Sequence, residues 1–303
     1  MAKKRTSLNR GFTVFLLPGL IGLTLIIILP FLITIGASFT KWNGVNPPVW
    51  IGLANYQRAI GDAKFWASFR NNLLMIIAVT IVPTILGLLV STFLFDYFSK
   101  KFGPKLTNFF KAAIYFPQIL PVVIAGVVWR WVLNPNFGSL NAMLKAIGLG
   151  VLAQNWLGDP NTALPSVMVI MVWFQFGYPL VIFMAALQRV DPELLEAAEM
   201  DGASWLQKFL NITIHQIRPE LFVVLLTTTI FALKLFGQIY VLTGGGPGTA
   251  TIVPSYYTYQ ALFEQANIGY GSTIATVMTV IIILLTFIFI RMQMNQESTR
   301  EGA

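Results

Sequence analysis

Six stretches of about 20 mainly apolar residues dominate the chain, and that length is what a helix needs to cross the hydrocarbon core of a bilayer. They run approximately Phe12–Phe39, Asn71–Phe95, Phe109–Leu133, Leu164–Leu187, Leu221–Leu242 and Gly271–Arg291, bounded by charges or by clusters of Gly, Pro and polar residues. A segment in lipid must satisfy its backbone hydrogen bonds internally, so the runs predict an all-α integral membrane protein with six transmembrane helices. Composition agrees: 56% of the 303 residues are hydrophobic and 11% are charged, against roughly 25% in a soluble domain. Lys3, Lys4, Arg5 and Arg10 precede the first run as they would in a signal peptide. That run is longer than the roughly 7–15 residues of a signal core, and no small-residue cleavage site follows it.

Zero cysteines exclude thiol catalysis, disulfides and iron–sulfur clusters, and the single histidine, His215, leaves no metal-ligand cluster. The net charge of +8 is scattered between apolar runs rather than gathered in a stripe, which argues against nucleic acid and for positive-inside topology. One side carries Lys3, Lys4, Arg5, Arg10, Lys100, Lys101, Lys105, Lys111, Arg189, Lys208, Arg218, Arg291 and Arg300; the other carries Lys41, Arg58, Lys64, Arg70, Arg130 and Lys145. The bias predicts cytoplasmic termini. The domain plan is a cytoplasmic segment 1–11, a membrane domain 12–291 and a cytoplasmic tail 292–303. The opposite loops, 41–70, 134–162 and 243–270, are rich in Gly, Pro, Asn and Trp, as surface turns are.

Half of the twelve acidic residues lie in one cytoplasmic loop, about 189–220: Asp191, Glu193, Glu196, Glu199, Asp201 and Glu220. Asp191 is placed to cap a helix that starts at Pro192, Glu193 sits at its positive end, and Gly202 is placed to stop it. A second short helix, capped by Ser204, carries Trp205, Leu206 and Phe209. An acidic pair of this kind is repelled by anionic headgroups and suits a protein groove better than a lipid surface.

Within this loop Glu196-Ala197-Ala198, Gly202 four residues on, and Ile212-Thr213-Ile214 after nine more resemble the EAA loop of permease subunits of ATP-binding-cassette importers. His215 stands where that family usually has proline, which leaves the bend before the fifth span to Arg218-Pro219. The resemblance is nearest to the carbohydrate-uptake, maltose-type branch. It also rests on Gly52-Leu53-Ala54-Asn55-Tyr56, on Asn134-Pro135 with Gly138 and Asn141, on Asp191-Pro192, and on Leu242-Thr243-Gly244-Gly245-Gly246-Pro247. It implies a type I importer permease working with a second permease, two cytoplasmic ATPase subunits and an extracytoplasmic solute-binding protein, in a prokaryotic inner or plasma membrane. ATP and Mg would be held by the partner ATPases, with no cofactor on this chain and no enzyme activity of its own. Leu194, Leu195, Glu196, Ala197, Ala198, Asp201 and Gly202 would then form the coupling helix.

A polar side chain inside a span is costly unless it lines a cavity or a helix contact. Lys234 stands out, mid-run between Phe231 and Gln238, with Gln238 one turn later on the same helical face. Trp173, Gln175, Phe176 and Tyr178 in the fourth run supply aromatic faces and an amide, and sugar C–H patches stack on aromatic rings. The resemblance places a sugar path in these two regions; Asn72 and Gln118 are lesser candidates, and Arg130 is read as snorkelling to the outer edge. Thr243–Thr249 lacks the Lys-Ser/Thr and helix start of a phosphate loop and is read instead as a place to receive the binding protein or as a flexible turn. An ion-coupled secondary transporter lacks support because no span holds a mid-membrane Asp or Glu, and a membrane hydrolase lacks its catalytic residues. A glycerol-phosphate-type solute or an amino acid remains open, and Lys234 mildly favours an anion.

Overall fold

The computed structural model describes the backbone of residues 8–301 and the side chains of residues 15–294. The basic side chains of Lys3, Lys4, Arg5, Arg10 and Arg300, and the sidedness expected of them, lie outside these described residues. Among the described residues regular structure is helical apart from one hairpin, Thr40–Lys41 paired antiparallel with Val49–Trp50. Four helical runs among the described residues are long and apolar enough to cross a membrane: Phe15–Ser38, Ala63–Ile119, Pro160–Leu187 and Ile268–Met294. The pair Trp205–Gln216 and Arg218–Leu233, bent by 71°, makes a fifth.

This differs from six uninterrupted spans in three places, two with a local cause and one held by residues distant in the chain. The run Ala63–Ile119 covers the second expected span and the start of the third, and it kinks at Gly103, whose φ of 81° and ψ of 168° only glycine adopts readily. The expected third span Phe109–Leu133 is divided. Its helix stops at Leu120, extended at ψ 134°, because Pro121 disfavours helix in the residue before it, and Val122–Val132 restarts beyond.

The expected fifth span Leu221–Leu242 is divided too. Helix Arg218–Leu233 ends at Lys234, Phe236 is non-helical, and Gly237–Leu242 restarts. No proline lies at this break. Tertiary donors take up the freed carbonyls instead: Asn72 Nδ2 donates to Ala232 O at 2.9 Å, and the Ser255 hydroxyl donates to Leu235 O. The last helix, Ile268–Glu301, is longer than the expected Gly271–Arg291 and runs on through the segment read as a tail.

Packing divides the chain into two compact units, Met1–Asp62 with Tyr257–Thr279, and Ala63–Tyr256 with Val280–Ala303. In the first, Asn55 Nδ2 donates to Ser38 O and Thr40 O, both at 2.9 Å, and the Thr273 hydroxyl donates to Ser38 O at 3.1 Å. The Gly52–Tyr56 signature therefore ties the first helix to the hairpin. Asp62 accepts the hydroxyls of Tyr257 and Tyr270 at 2.5 Å each, and Arg58 stacks on the Tyr270 ring at 4.1 Å. Burial and the Asp62 carboxylate push the Tyr257 hydroxyl up to about 12, so it remains a donor at any physiological pH.

In the second unit, Gly177–Leu187 lies against Val82–Phe93 and Ser99–Ile119. A Cβ on Gly177 would come within 2.6 Å of Tyr115 Cα, so glycine is what lets those two backbones touch. The core below them joins Phe183, Ala186, Leu187, Val190, Ile217 and Val224, all buried, with Leu94, Leu180 and Met184 alongside.

Candidate functional site

The acidic loop folds as its caps dictate. Asp191 accepts from the Glu193 amide at 2.9 Å, Pro192 begins the helix Pro192–Met200, and Gly202 turns it at φ +78°. Ser204 and Gln207 then form a reciprocal capping box for Trp205–Lys208. Neither helix buries a side chain: Leu194, Glu196, Ala197, Asp201 and Gly202 are exposed, Ala198 is half-buried, and Met200 keeps 89% of its surface. Leu195, expected with the others to form the coupling helix, instead packs inward on the chain's own core of Val190, Ile217 and Val224.

The loop is clamped to the helices it joins. The Asp191 amide donates to Gln216 Oε1 at 2.9 Å, and Arg189 pairs with Glu220. Its second helix ends in the 71° bend at Ile217, with Pro219 in the first turn of the helix beyond. His215, standing where proline was expected, approaches Leu210 O through Nδ1 at 3.2 Å. The Lys208 ammonium bonds the Glu199 carboxylate at 2.8 Å and holds its pKa below the usual range.

The expected polar path is less unified. Lys234 is not mid-helix beside Gln238; it is the exposed C-cap residue that follows Arg218–Leu233, and the break separates the two, so they share no continuous helical face. Gln238 is buried in the next helix beside Val122, Gly126, Met171 and Phe174, and Phe231 is half-buried. Trp173 is 38% exposed and meets Trp129 edge-on at 5.4 Å. Gln175 is only 3% exposed, and its Oε1 has no hydrogen-bond partner among the described residues.

Phe176 and Tyr178 serve packing: Phe176 on the Leu94, Leu180 and Met184 cluster, Tyr178 on Phe183 with its hydroxyl 3.1 Å from Thr227 Oγ1. Asn72 is committed to the Ala232 carbonyl, and Gln118 Oε1 is buried without a partner among the described residues. Arg130, exposed as expected of a snorkelling residue, reaches Val241 O at 3.4 Å. Sequence reasoning missed Thr80 and Thr84, one helical turn apart, whose buried hydroxyls are likewise unpartnered among the described residues. Threonines four apart in an apolar run were the available signal.

The turn Thr243–Ile252 is a built loop rather than a flexible one. Asn71 Nδ2 donates to Thr249 O and Ile252 O at 3.0 Å each. Thr251 Oγ1 donates to Gly246 O at 2.8 Å, and Thr243 and Thr251 hydroxyls lie 2.6 Å apart. Gly245, at φ +76°, lies so near Tyr256 that a Cβ would come within 2.9 Å of the ring.

Apolar helices long enough to span a membrane, an acidic helix pair left exposed, and buried polar groups unpartnered among the described residues together define a membrane transport component. Residues 100–298 match the family described as "Binding-protein-dependent transport system inner membrane component", and the chain belongs to that family. It is 30% identical over 299 residues to the probable starch degradation products transport system permease protein AmyD of Thermoanaerobacterium thermosulfurigenes, covering 98% of this chain and 99% of that one. It is 31% identical to the trehalose/maltose transport system permease protein MalF of Thermococcus litoralis, over 91% of each chain. Its fold, the type I permease fold, is shared at TM-score 0.79 and 21% identity with a chain of the bacterial alginate ABC transporter solved with an alginate pentasaccharide-bound periplasmic protein, over 95% of this chain and 96% of that one. The chain is therefore an inner-membrane permease component of a binding-protein-dependent ABC transporter, a family of transport components rather than of catalysts.

Proposed function

We propose that this permease works in an ATP-driven importer of a carbohydrate, an oligosaccharide by preference, delivered by an extracytoplasmic solute-binding protein. The saccharides named in its relatives support the substrate class. The observation that carries the mechanism is the helix pair Pro192–Lys208, which buries none of its side chains while Leu194, Met200, Trp205 and Leu206 stand exposed. Apolar surface of that kind gains roughly 25 cal/mol for each Å² it buries, and a cleft on an ATPase subunit is the partner that would bury it.

Glu196 would accept a charge-assisted bond from an Arg or Lys of that cleft. Because Asp191–Gln216 and Arg189–Glu220 clamp the loop to its helices, moving the pair moves the start of the bent helix. ATP binding by two such partner subunits, holding ATP and Mg, would draw the loops together and open the cavity outward; hydrolysis would reset it. A second permease completes the pore. In this reading the chain crosses the membrane six times with both termini cytoplasmic, its third and fifth crossings each interrupted, within a membrane domain 12–291.

Gln175, Gln238, Trp173, Phe231 and Lys234 would line the path, while Phe176 and Tyr178 shape it through packing. Exposure of Lys234 at a helix break favours one second reading, a small anionic polar solute. The test is to purify the tagged chain in mild detergent, identify its companions, and assay ATP hydrolysis with binding protein and a panel of sugars and glycerol phosphodiesters. Stimulation by binding protein loaded with a sugar supports the reading. A lone chain with no ATPase overturns it.

A further inference from the structure

The Arg70 side chain forms no ion pair and no hydrogen bond among the described residues. It stands in a cleft whose other walls include Asn161, Leu164, Pro165, Pro247 and Thr249. The cleft is rigid by construction: three of its walls rest on proline at 160, 165 and 247, and the neighbouring Asn71 pins the Thr249 carbonyl at 3.0 Å. A solvent-exposed guanidinium lining an open cleft with an amide and a hydroxyl can receive a carboxylate, which accepts two parallel N–H bonds from such a fork.

We infer that this cleft receives an acidic side chain, Asp or Glu, from the solute-binding protein. The inference rests on the proposed importer and its topology, in which the cleft faces outward. Charge balance points to an acidic partner surface. In this compact unit the segments proposed to face outward carry Lys64, Arg70, Arg130 and Lys145 against one acid, Asp159, and that carboxylate caps its own helix through the Asn161 amide at 2.7 Å. The internal hydrogen bonds of the glycine-rich turn hold Pro247 and Thr249 in place, so the incoming carboxylate meets a preformed site and little ordering is needed at contact.

The experiment uses the intact importer in lipid nanodiscs with its binding protein loaded with a neutral sugar, measuring ATP hydrolysis against binding-protein concentration. Arg70→Ala is expected to raise the half-stimulating concentration about tenfold and Arg70→Glu about a hundredfold, with Arg70→Lys in between wild type and Arg70→Ala. Unstimulated hydrolysis and subunit composition stay at wild-type values. The wild-type curve shifts to higher concentration with added salt, and the Arg70→Ala curve shifts less. An unchanged half-stimulating concentration in all three variants, or an effect seen only with an acidic sugar, overturns the inference and leaves the importer standing. Absence of stimulation in the wild-type complex would instead overturn the importer reading beneath it.

Discussion

Before the helix Arg218–Leu233 the chain makes two short helices that bury none of their side chains, whereas after the break at Lys234 the turn Thr243–Ile252 spends its polar groups on itself. Both loops turn at glycines with positive φ, Gly202 at +78° and Gly245 at +76°. At Gly202 a Cβ would meet nothing within 4 Å; at Gly245 it would press on Tyr256. The first loop thus needs glycine for backbone direction alone and leaves its surface for a partner. The second needs it also for packing, and holds a fixed shape. The first loop is held at its ends, by Leu195 on the core and by the Trp205 indole donating to Asp96 Oδ2 at 3.2 Å, yet leaves most of its surface open, while the other is pinned along its length.

The widest separation between the two is expected from Gly202 itself. Gly202→Val places a β-branched residue in the left-handed region, which costs roughly 1–2 kcal/mol and turns the second helix away from its direction. Uptake by the assembled importer should fall more than tenfold, while Gly202→Asn, which tolerates that region, retains most of it. Equal activity in both variants would break the contrast.

Lys234→Ala comes next. The side chain is exposed, so assembly and unstimulated ATPase activity should persist while uptake drops several-fold; loss of assembly would make Lys234 structural. Asn71→Ala removes the bonds to Thr249 O and Ile252 O and should destabilise the second loop by about 2 kcal/mol. Thermal unfolding in detergent and amide exchange at 243–252 would report it, with no change expected at 192–208.

The smallest effect belongs to the Lys208–Glu199 pair, which is solvent-exposed on the Glu199 side. The Lys208 hydrogen bond depresses the Glu199 pKa below its ordinary 4.5, so the pair's contribution is full above that value and is lost as pH falls through the lowered one. Lys208→Met should therefore leave uptake at pH 7 unaltered. Its unfolding temperature should converge with that of wild type as pH falls through the lowered Glu199 pKa.

Local signals made the first loop readable: Asp191, Pro192, Gly202 and Ser204 each act within four residues of where they stand, and the caps form as their positions imply. The apolar runs were readable by the same logic, as was the stop ahead of Pro121 in principle. The break at 234–236 was not, because Phe231–Gln238 is apolar enough to continue a helix, and what holds the break open lies far along the chain, in Asn72 and Ser255. That is why helical periodicity alone sets Lys234 and Gln238 on one face. The resemblance sets Leu195 in the coupling helix, yet the Ile217 core behind it claims its side chain first. Arg70 carries no motif at all; only the fold sets it beside the distant turn that holds Pro247 and Thr249.

The chain contains no cysteine, so a single introduced thiol is unambiguous. The most direct test of the central claim is site-specific cross-linking from Glu196→Cys in native membranes, followed by identification of the attached protein. The account predicts an adduct with an ATP-hydrolysing subunit whose yield changes between nucleotide-free and ATP-trapped states. An adduct with no ATPase in either state, in a variant that still takes up sugar, would contradict it.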